Sequence, residues 1–321
     1  SFILDEIGAP ARALGDRLIS ANAYIGASPI VSALQAGADV VLTGRASDPA
    51  MFLAPLVHAF GWAMDDWVRL GRGTVVGHLL ECAGQITGGY FADPGFKDVP
   101  DLARLGFPLA EVTEDGSAVV TKVVGTGGRV TRATCTEQLL YEIHDPSRYA
   151  QPDVVADFSR VTLAEDGPDR IRVSGAAGAA RTGKLKVSVG YDDGWMGEGQ
   201  ISYAGPGAEA RGRLAIELIR ERLASHGPAV SETRGELIGV DAILGNGWSQ
   251  PCSPREVRVR FVARCATREA AARIGEEVES LYLNGPSGGG GATRSVRQIL
   301  GVASTLIPED LVQTRVQMVE G

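Results

Sequence analysis

His78, Glu81, Cys82 and Gln85 stand at i, i+3, i+4 and i+7, the spacing that puts four side chains on one face of a helix. An imidazole and a carboxyl three residues apart can move protons as general acid and base, or they can ligate a metal. No second motif of metal-ligand spacing accompanies them, and the chain holds only 4 histidines. A histidine satisfied in the core is the commoner outcome of such a pattern. As chemistry, proton transfer by His78 and Glu81 is expected ahead of metal binding, and no metal ligands are assigned.

Three loops are candidates for holding an anion. Asn284-Gly285-Pro286-Ser287 leads into Gly288, Gly289, Gly290 and Gly291, then Ala292-Thr293-Arg294. Read as the entry to a helix, the glycines would turn backbone N–H groups and the helix's partial positive charge onto one anion. Arg294 and Arg297 would add forked donors. The alternative is a flexible loop with ordinary surface arginines. Gly127 and Gly128, in Gly125-Thr126-Gly127-Gly128, form a second cradle or else a tight turn that needs positive φ. Arg45 and Asp48 follow an expected parallel strand, where open α/β sheets put ligands, or they close the loop as an ion pair.

Other matches are weaker. Gly178 to Lys184 spells most of a phosphate loop, but Leu185 stands where a Ser or Thr should hold magnesium, and the next residues alternate as a strand. Gly205-Pro206-Gly207-Ala208-Glu209-Ala210 fits a dinucleotide fingerprint behind a strand of hairpin type, not a buried parallel one. Cys135, just before a helix, is a thiol of lowered pKa or a small buried residue.

The elements that must position these residues read as α/β, with mixed sheets and flanking helices. Ser28 caps a helix that ends near Gly37, Val40 to Thr43 is a buried parallel strand, and a helix carries Met51, Leu53, Leu56 and Val57. A third helix covers Val75 to Gln85. Glu111 to Thr113 and Ala118 to Lys122 form a hairpin, and a helix carries Leu139, Leu140 and Ile143. Tyr149 to Ala156 is a connector. Beyond it the pattern is α+β with antiparallel hairpins: Val161 to Leu163 with Ile171 to Val173, and Lys184 to Tyr191 with Gln200 to Tyr203 across Asp192-Asp193-Gly194. Helices are expected from Gly207 to Ala224, with Leu214, Leu218, Ile219 and Leu223 on one face, and from Thr267 to Leu281. Strands are expected near Glu236 to Val240, Val257 to Ala263 and Val312 to Met318. The division falls near Gln151, between a part with parallel strands (residues 1–150) and an α+β part with two long helices (residues 151–321).

Composition bounds the partners. Lys and Arg number 31 against 39 Asp and Glu, a net charge of −8, so neither nucleic acid nor an anionic membrane is an expected partner. Glycine, 42 of 321 residues, is nearly double its usual ~7% share and signals tight turns and close backbone approaches. Mean hydropathy is +0.03, and no apolar run nears the ~18 residues of a spanning helix. The opening Ser1-Phe2-Ile3-Leu4-Asp5-Glu6 has no basic lead and is read as a fragment or processed chain. Cys82, Cys135, Cys252 and Cys265 are widely spaced, as for free thiols in a reducing compartment. A cytoplasmic protein is expected, and a homo-oligomer on base rates alone.

Read in order, several phrases carry a likeness: Ser20-Ala21-Asn22-Ala23-Tyr24-Ile25-Gly26-Ala27; Val41-Leu42-Thr43-Gly44-Arg45 with Asp48; Gly77-His78-Leu79-Leu80-Glu81-Cys82 running to Gly88-Gly89; Gly125-Thr126-Gly127-Gly128; Glu137 to Ile143; Pro152-Asp153-Val154; and Leu283-Asn284-Gly285-Pro286 with its glycines. Over most of its length the chain resembles the acyclic terpene utilisation (AtuA-type) family. The resemblance implies a part in bacterial breakdown of citronellol- and geraniol-like acids, and of branched acyl groups, as CoA thioesters. It brings no catalytic residues with it. It implies a longer α/β segment upstream of Ser20, and a small ferredoxin-like domain or partner that this chain lacks. The first expectation is therefore an enzyme acting on a branched-chain or acyclic-terpenoid acyl-CoA by lyase- or hydratase-type chemistry, with the CoA thioester as substrate and no tightly bound cofactor. The second is a non-catalytic subunit partnering a ferredoxin-like protein or an acyl-CoA carboxylase. The third is a metal-dependent hydrolase using His78 and Glu81.

Overall fold

The structure, a computed structural model of the chain, describes residues 2–245 and 254–319. The described residues divide into two units: unit 1 takes residues 2–11, 21–188 and 304–319, and unit 2 takes 12–20 and 189–303. The division expected near Gln151 lies inside unit 1.

Unit 1 begins with an antiparallel pair, β1 (Ile3–Leu4) and β2 (Ala9–Pro10). Strand β3 (Leu18–Ala23) leads to α1 (Ser28–Gln35), which has Pro29 in its first turn. Ser28 does not cap this helix. Ala27 is the N-cap residue, and the buried Asp153 carboxylate accepts its N–H at 2.9 and 3.0 Å. The parallel strand expected from Val40 to Thr43 is not formed. A buried strand needs hydrogen-bonding neighbours, and among the described residues none lies alongside; Val40 is 78% and Leu42 94% exposed. Parallel pairing here shrinks to an isolated bridge between Ile25 and Ala46.

Helix α2 (Ala50–Phe60) stops at Gly61 in the left-handed region. Helix α3 (Trp67–Leu80) is capped by Asp66, starts before the expected Val75 and does not reach Gln85, because Ala83 turns left-handed at φ 48°. The hairpin β4 (Pro108–Val112) and β5 (Ala118–Lys122) forms as expected. Helix α4 (Arg132–Leu140) opens on a reciprocal Thr131–Thr134 cap and ends short of Ile143. Five short strands follow: β6 (Tyr149–Ala150), β7 (Val155–Asp157), β8 (Thr162–Glu165), β9 (Ile171–Ser174) and β10 (Ala177–Ala179). They make two antiparallel sheets, in the orders β4-β5-β9-β8 and β10-β7-β6. Leu53, Leu70, Leu79, Ile86, Val120 and Val154 fill the core between these sheets and helices.

Strand β11 (Lys184–Ala204) carries the chain from unit 1 into unit 2 without a turn. The hairpin expected at Asp192-Asp193-Gly194 is absent. Asp192 accepts the Gly194 N–H at 2.9 Å, Gly194 takes φ 87°, and Asp193 pairs with Arg264 on a neighbouring strand. Turn-forming residues are thus absorbed within one long strand. Then come α5 (Ala208–His226), β12 (Glu232–Ile238), β13 (Glu256–Cys265), α6 (Arg268–Asn284) and β14 (Gly290–Pro308). The strand order is β12-β13-β11-β14, with β3 also paired to β11. From β11 to β14 this is the βαββαβ arrangement of a ferredoxin-like plait. A topology expected on a separate domain or partner is therefore present in this chain.

Odd-numbered β13 residues Val257, Val259, Phe261 and Ala263 pack the helices, while Arg258, Arg260 and Arg264 line the other face. The buried residues of α5 are Ala208, Gly212, Ala215, Ile216 and Ile219; Leu214, expected inside, is 45% exposed. Residues 312–318, expected as a strand, are irregular. The fold is α/β of mixed type, and every strand ladder whose register is defined among the described residues is antiparallel.

Candidate functional site

Several phrases far apart in sequence converge on one cavity of about 1000 Å³ in unit 1. Tyr24, Ser47, Asp48, Tyr149 and Gln151 contribute to its wall. The Ser47 hydroxyl donates to the Gln151 side chain, and the Arg45 guanidinium lies 4.2 Å from the centre of the Tyr24 ring. Arg45 also pairs with Asp48 at 3.3 Å, the loop-closing ion pair that its spacing allowed. These contacts fasten the loop before α2 to the end of β3.

His78 and Glu81 lie behind that wall. The His78 ring is 5.6 Å from the Tyr149 ring and 5.4 Å from the Phe158 ring, and its side chain is 1% exposed. Its Nε2 is 2.9 Å from the Gln138 carbonyl oxygen, which can only accept, so Nε2 carries a proton. The Gln138 side-chain amide returns a hydrogen bond to the His78 carbonyl at 2.9 Å. Nδ1 therefore faces Glu81 Oε1, 3.0 Å away, with one shared proton between them. Glu81 Oε2 is buried without a hydrogen-bond partner, as are Gln85 Nε2 and Gln138 Oε1. Burial pushes the Glu81 carboxyl above the ordinary range against the opposing pull of His78, and the nearby Asp48 and Glu142 carboxylates add to the rise. A desolvated carboxyl with one free edge, backed by an imidazole of fixed tautomer, is chemically a proton acceptor and donor. Both His78 ring nitrogens are engaged inside the protein, so a metal there would have to displace Glu81 or Gln138. Among the described residues, no three His, Cys, Asp or Glu side chains are grouped to hold one.

The glycine loops have other work. Gly288 and Gly289 lead into strand β14, which begins at Gly290, and not into a helix. Arg211 donates to the Ser287 carbonyl, and Arg258 to that of Gly291. Arg294 reaches Glu279 at 3.2 Å and Glu276 at 3.7 Å, both on α6. The Gly127 and Gly128 N–H groups donate to the Arg104 and Pro100 carbonyls at 2.8 Å. A Cβ on Gly127 would sit 2.0 Å from the Asp101 oxygen. That glycine serves close backbone packing, and Gly128 at φ 84° serves a turn. Cys135 is fully buried, which pushes its thiol up to about 12 and excludes the lowered-pKa reading. Cys82, Cys135 and Cys265 are free thiols, while Cys252 lies outside the described residues.

Sequence reasoning missed Gln138, Tyr149 and Phe158, which hold His78 from sixty or more residues away. It also missed Asp153, named only within a phrase. A Cβ on Gly26 would lie 2.3 Å from the Asp153 carboxylate, so glycine at 26 is what lets this carboxylate cap α1. Burial lifts the Asp153 pKa from 3.8 to about 6. The folded state then holds a proton that the unfolded chain has released. Stability from this group is greatest below about pH 4 and falls as pH rises through about 6, by about 3 kcal/mol at most. Asp153→Asn keeps an acceptor for Ala27 without the charge. Urea melts at pH 4.5 and 8 should show a flatter pH dependence in the variant. An unchanged slope assigns that titration to another group.

Fold and site together define a two-unit α/β protein with a desolvated carboxyl–imidazole pair beside a ligand-sized cavity. Residues 4–318 match the model of the family described as "Acyclic terpene utilisation family protein AtuA", and the chain belongs to that family. No curated protein and no solved structure matches it. Among the described residues no helix is long and apolar enough to cross a membrane.

Proposed function

We propose that this protein is a catabolic enzyme acting on a branched-chain or acyclic-terpenoid acyl-CoA by lyase- or hydratase-type proton transfer. The observation that carries this reading is the Glu81–His78 pair, with a proton shared at 3.0 Å and Glu81 Oε2 left free. Adding or removing water across a double bond beside a thioester requires a proton to join or leave the neighbouring carbon. A desolvated carboxyl whose pKa burial has raised suits that transfer. The family's link to acyclic terpene utilisation supports the substrate class, and a cavity of about 1000 Å³ has room for an acyl chain.

The test uses the purified chain with isovaleryl-CoA, geranyl-CoA and a dicarboxylic acyl-CoA. Mass spectrometry reads gain or loss of water, and melting temperature reads binding. At ~100 times its dissociation constant a ligand adds about 2.7 kcal/mol, a shift of a few degrees. Product from one acyl-CoA together with such a shift is expected. Neither product nor shift with any of them removes the enzyme reading in favour of the subunit reading.

A further inference from the structure

Three cations line the same cavity without a direct ion pair, although the Asp48 and Asp145 carboxylates line it too. Lys184 and Lys186 alternate along β11 with buried Leu185 and Val187, so both ammonium groups leave from one face of the strand. Arg148, from the segment before β6, joins them in the cavity lining. Among the described residues none of the three has an ion-pair partner within 4.0 Å. Their neighbours do: Arg181 pairs with Glu309 at 3.1 Å and Arg45 with Asp48 at 3.3 Å.

The acidic groups around the three are few and partly engaged. Asp48 is held by Arg45, and Asp145 accepts the Ser147 N–H and hydroxyl at 3.0 and 2.7 Å. Arg148 acts on Asp145 and Lys186 on Glu6 through longer-range attraction only. Lys186 also lies 5.5 Å from the Tyr24 ring. In a chain of net charge −8, this cluster makes the cavity locally attractive to anions against the average field. Two ammonium point charges and one planar guanidinium are donors suited to a group with several oxygens.

We propose that Arg148, Lys184 and Lys186 form an anchoring subsite for a multi-oxygen anionic group of the cavity's ligand, a phosphate or a carboxylate. The proposal rests on this cavity being the ligand site of the reading above, and not on the reaction performed there.

Isothermal titration of the full chain with CoA, inorganic pyrophosphate and succinate tests it, at low and at raised salt. The comparison is Arg148→Gln/Lys184→Gln/Lys186→Gln, with Lys184→Gln/Lys186→Gln as a second variant confined to exposed strand positions. At least one anion should bind, more weakly at high salt, and about tenfold or more weakly in the triple variant. Pyrophosphate and CoA binding without succinate assigns a phosphate anchor; succinate alone assigns a carboxylate. No binding by any of the three, or equal affinity in wild type and variants, overturns the proposal. Anion binding that depends on the three cations, in a protein without turnover, keeps the subsite and loses only the catalytic reading. Turnover whose KM ignores both variants does the reverse.

Discussion

Glu81→Gln should lower turnover by roughly two to four orders of magnitude, the usual range for losing a positioned acid or base, while leaving the fold intact. The substitution isolates the proton. A glutamine amide can donate to His78 Nδ1 across the 3.0 Å contact, and Nε2 still donates to the Gln138 carbonyl. Every hydrogen bond survives, and only the group that titrates is gone. In the wild type, kcat/KM should rise with pH as Glu81 ionises, on a limb displaced upward because burial raises its pKa. The variant should lack that limb. Acyl-CoA binding should survive the change, since the three cavity cations are untouched. A Glu81→Gln protein that turns over at the wild-type rate would end the acid–base role for this pair.

The second large effect is on stability. Gly71→Ala places a methyl group 2.2 Å from the Ala177 oxygen, a backbone atom that cannot swing aside. Its counterpart on β10, Gly178, brings its own Cβ position to 2.1 Å from the Trp67 oxygen. Helix α3 and strand β10 therefore meet backbone to backbone, with a glycine on each side. Helix propensity alone favours alanine in a helix interior by roughly 1 kcal/mol. Overpacking reverses the sign and costs about 1–3 kcal/mol or more. Urea midpoints for Gly71→Ala should fall clearly below wild type, whereas Gly44→Ala, with open space at its Cβ, should lie within about 0.5 kcal/mol of it. Equal midpoints for the two variants would show that α3 can shift away from β10 at little cost.

What the sequence disclosed follows from how local each signal is. The His78–Glu81 spacing is a property of one helix, and the pair forms where the i, i+3 rule puts it. The groups that give it meaning come from elsewhere: Gln138 from α4, Tyr149 from β6, and Phe158 just past β7. No periodicity encodes those contacts. The ends of helices were harder than their middles, as Ala83 illustrates, because a left-handed alanine has no signature in the residue type. Glycine misled most. Gly127, Gly128 and the tract at Gly288 suit an anion cradle and close packing equally well, and what decides is the atom opposite. For Gly127 that atom is the Asp101 carbonyl oxygen. Asp192-Asp193-Gly194 misled in the same way, since turn residues also fit an irregular step inside a long strand. Val40 to Thr43 has the composition of a buried parallel strand, but composition cannot supply the neighbour that a strand pairs with.

The insertion of unit 2 within unit 1 sets an order of events during synthesis. Asp5 donates its N–H to the Ser304 carbonyl at 2.8 Å, Ser304 donates to the Glu6 side chain at 2.6 Å, and Glu309 donates to the Gly183 carbonyl at 2.9 Å. Each of these closures spans more than a hundred residues, and the whole of 189–303 leaves the ribosome first. Residues 5 and 6 thus wait for almost the entire chain before their partners exist, and the closing of so long a loop belongs among the late, slow steps. The plait, whose elements from β11 to β14 are consecutive, has no such wait. A chain synthesised only as far as residue 303 would lack the Ser304 partner of both Asp5 and Glu6, and their end of unit 1 would still be unfastened.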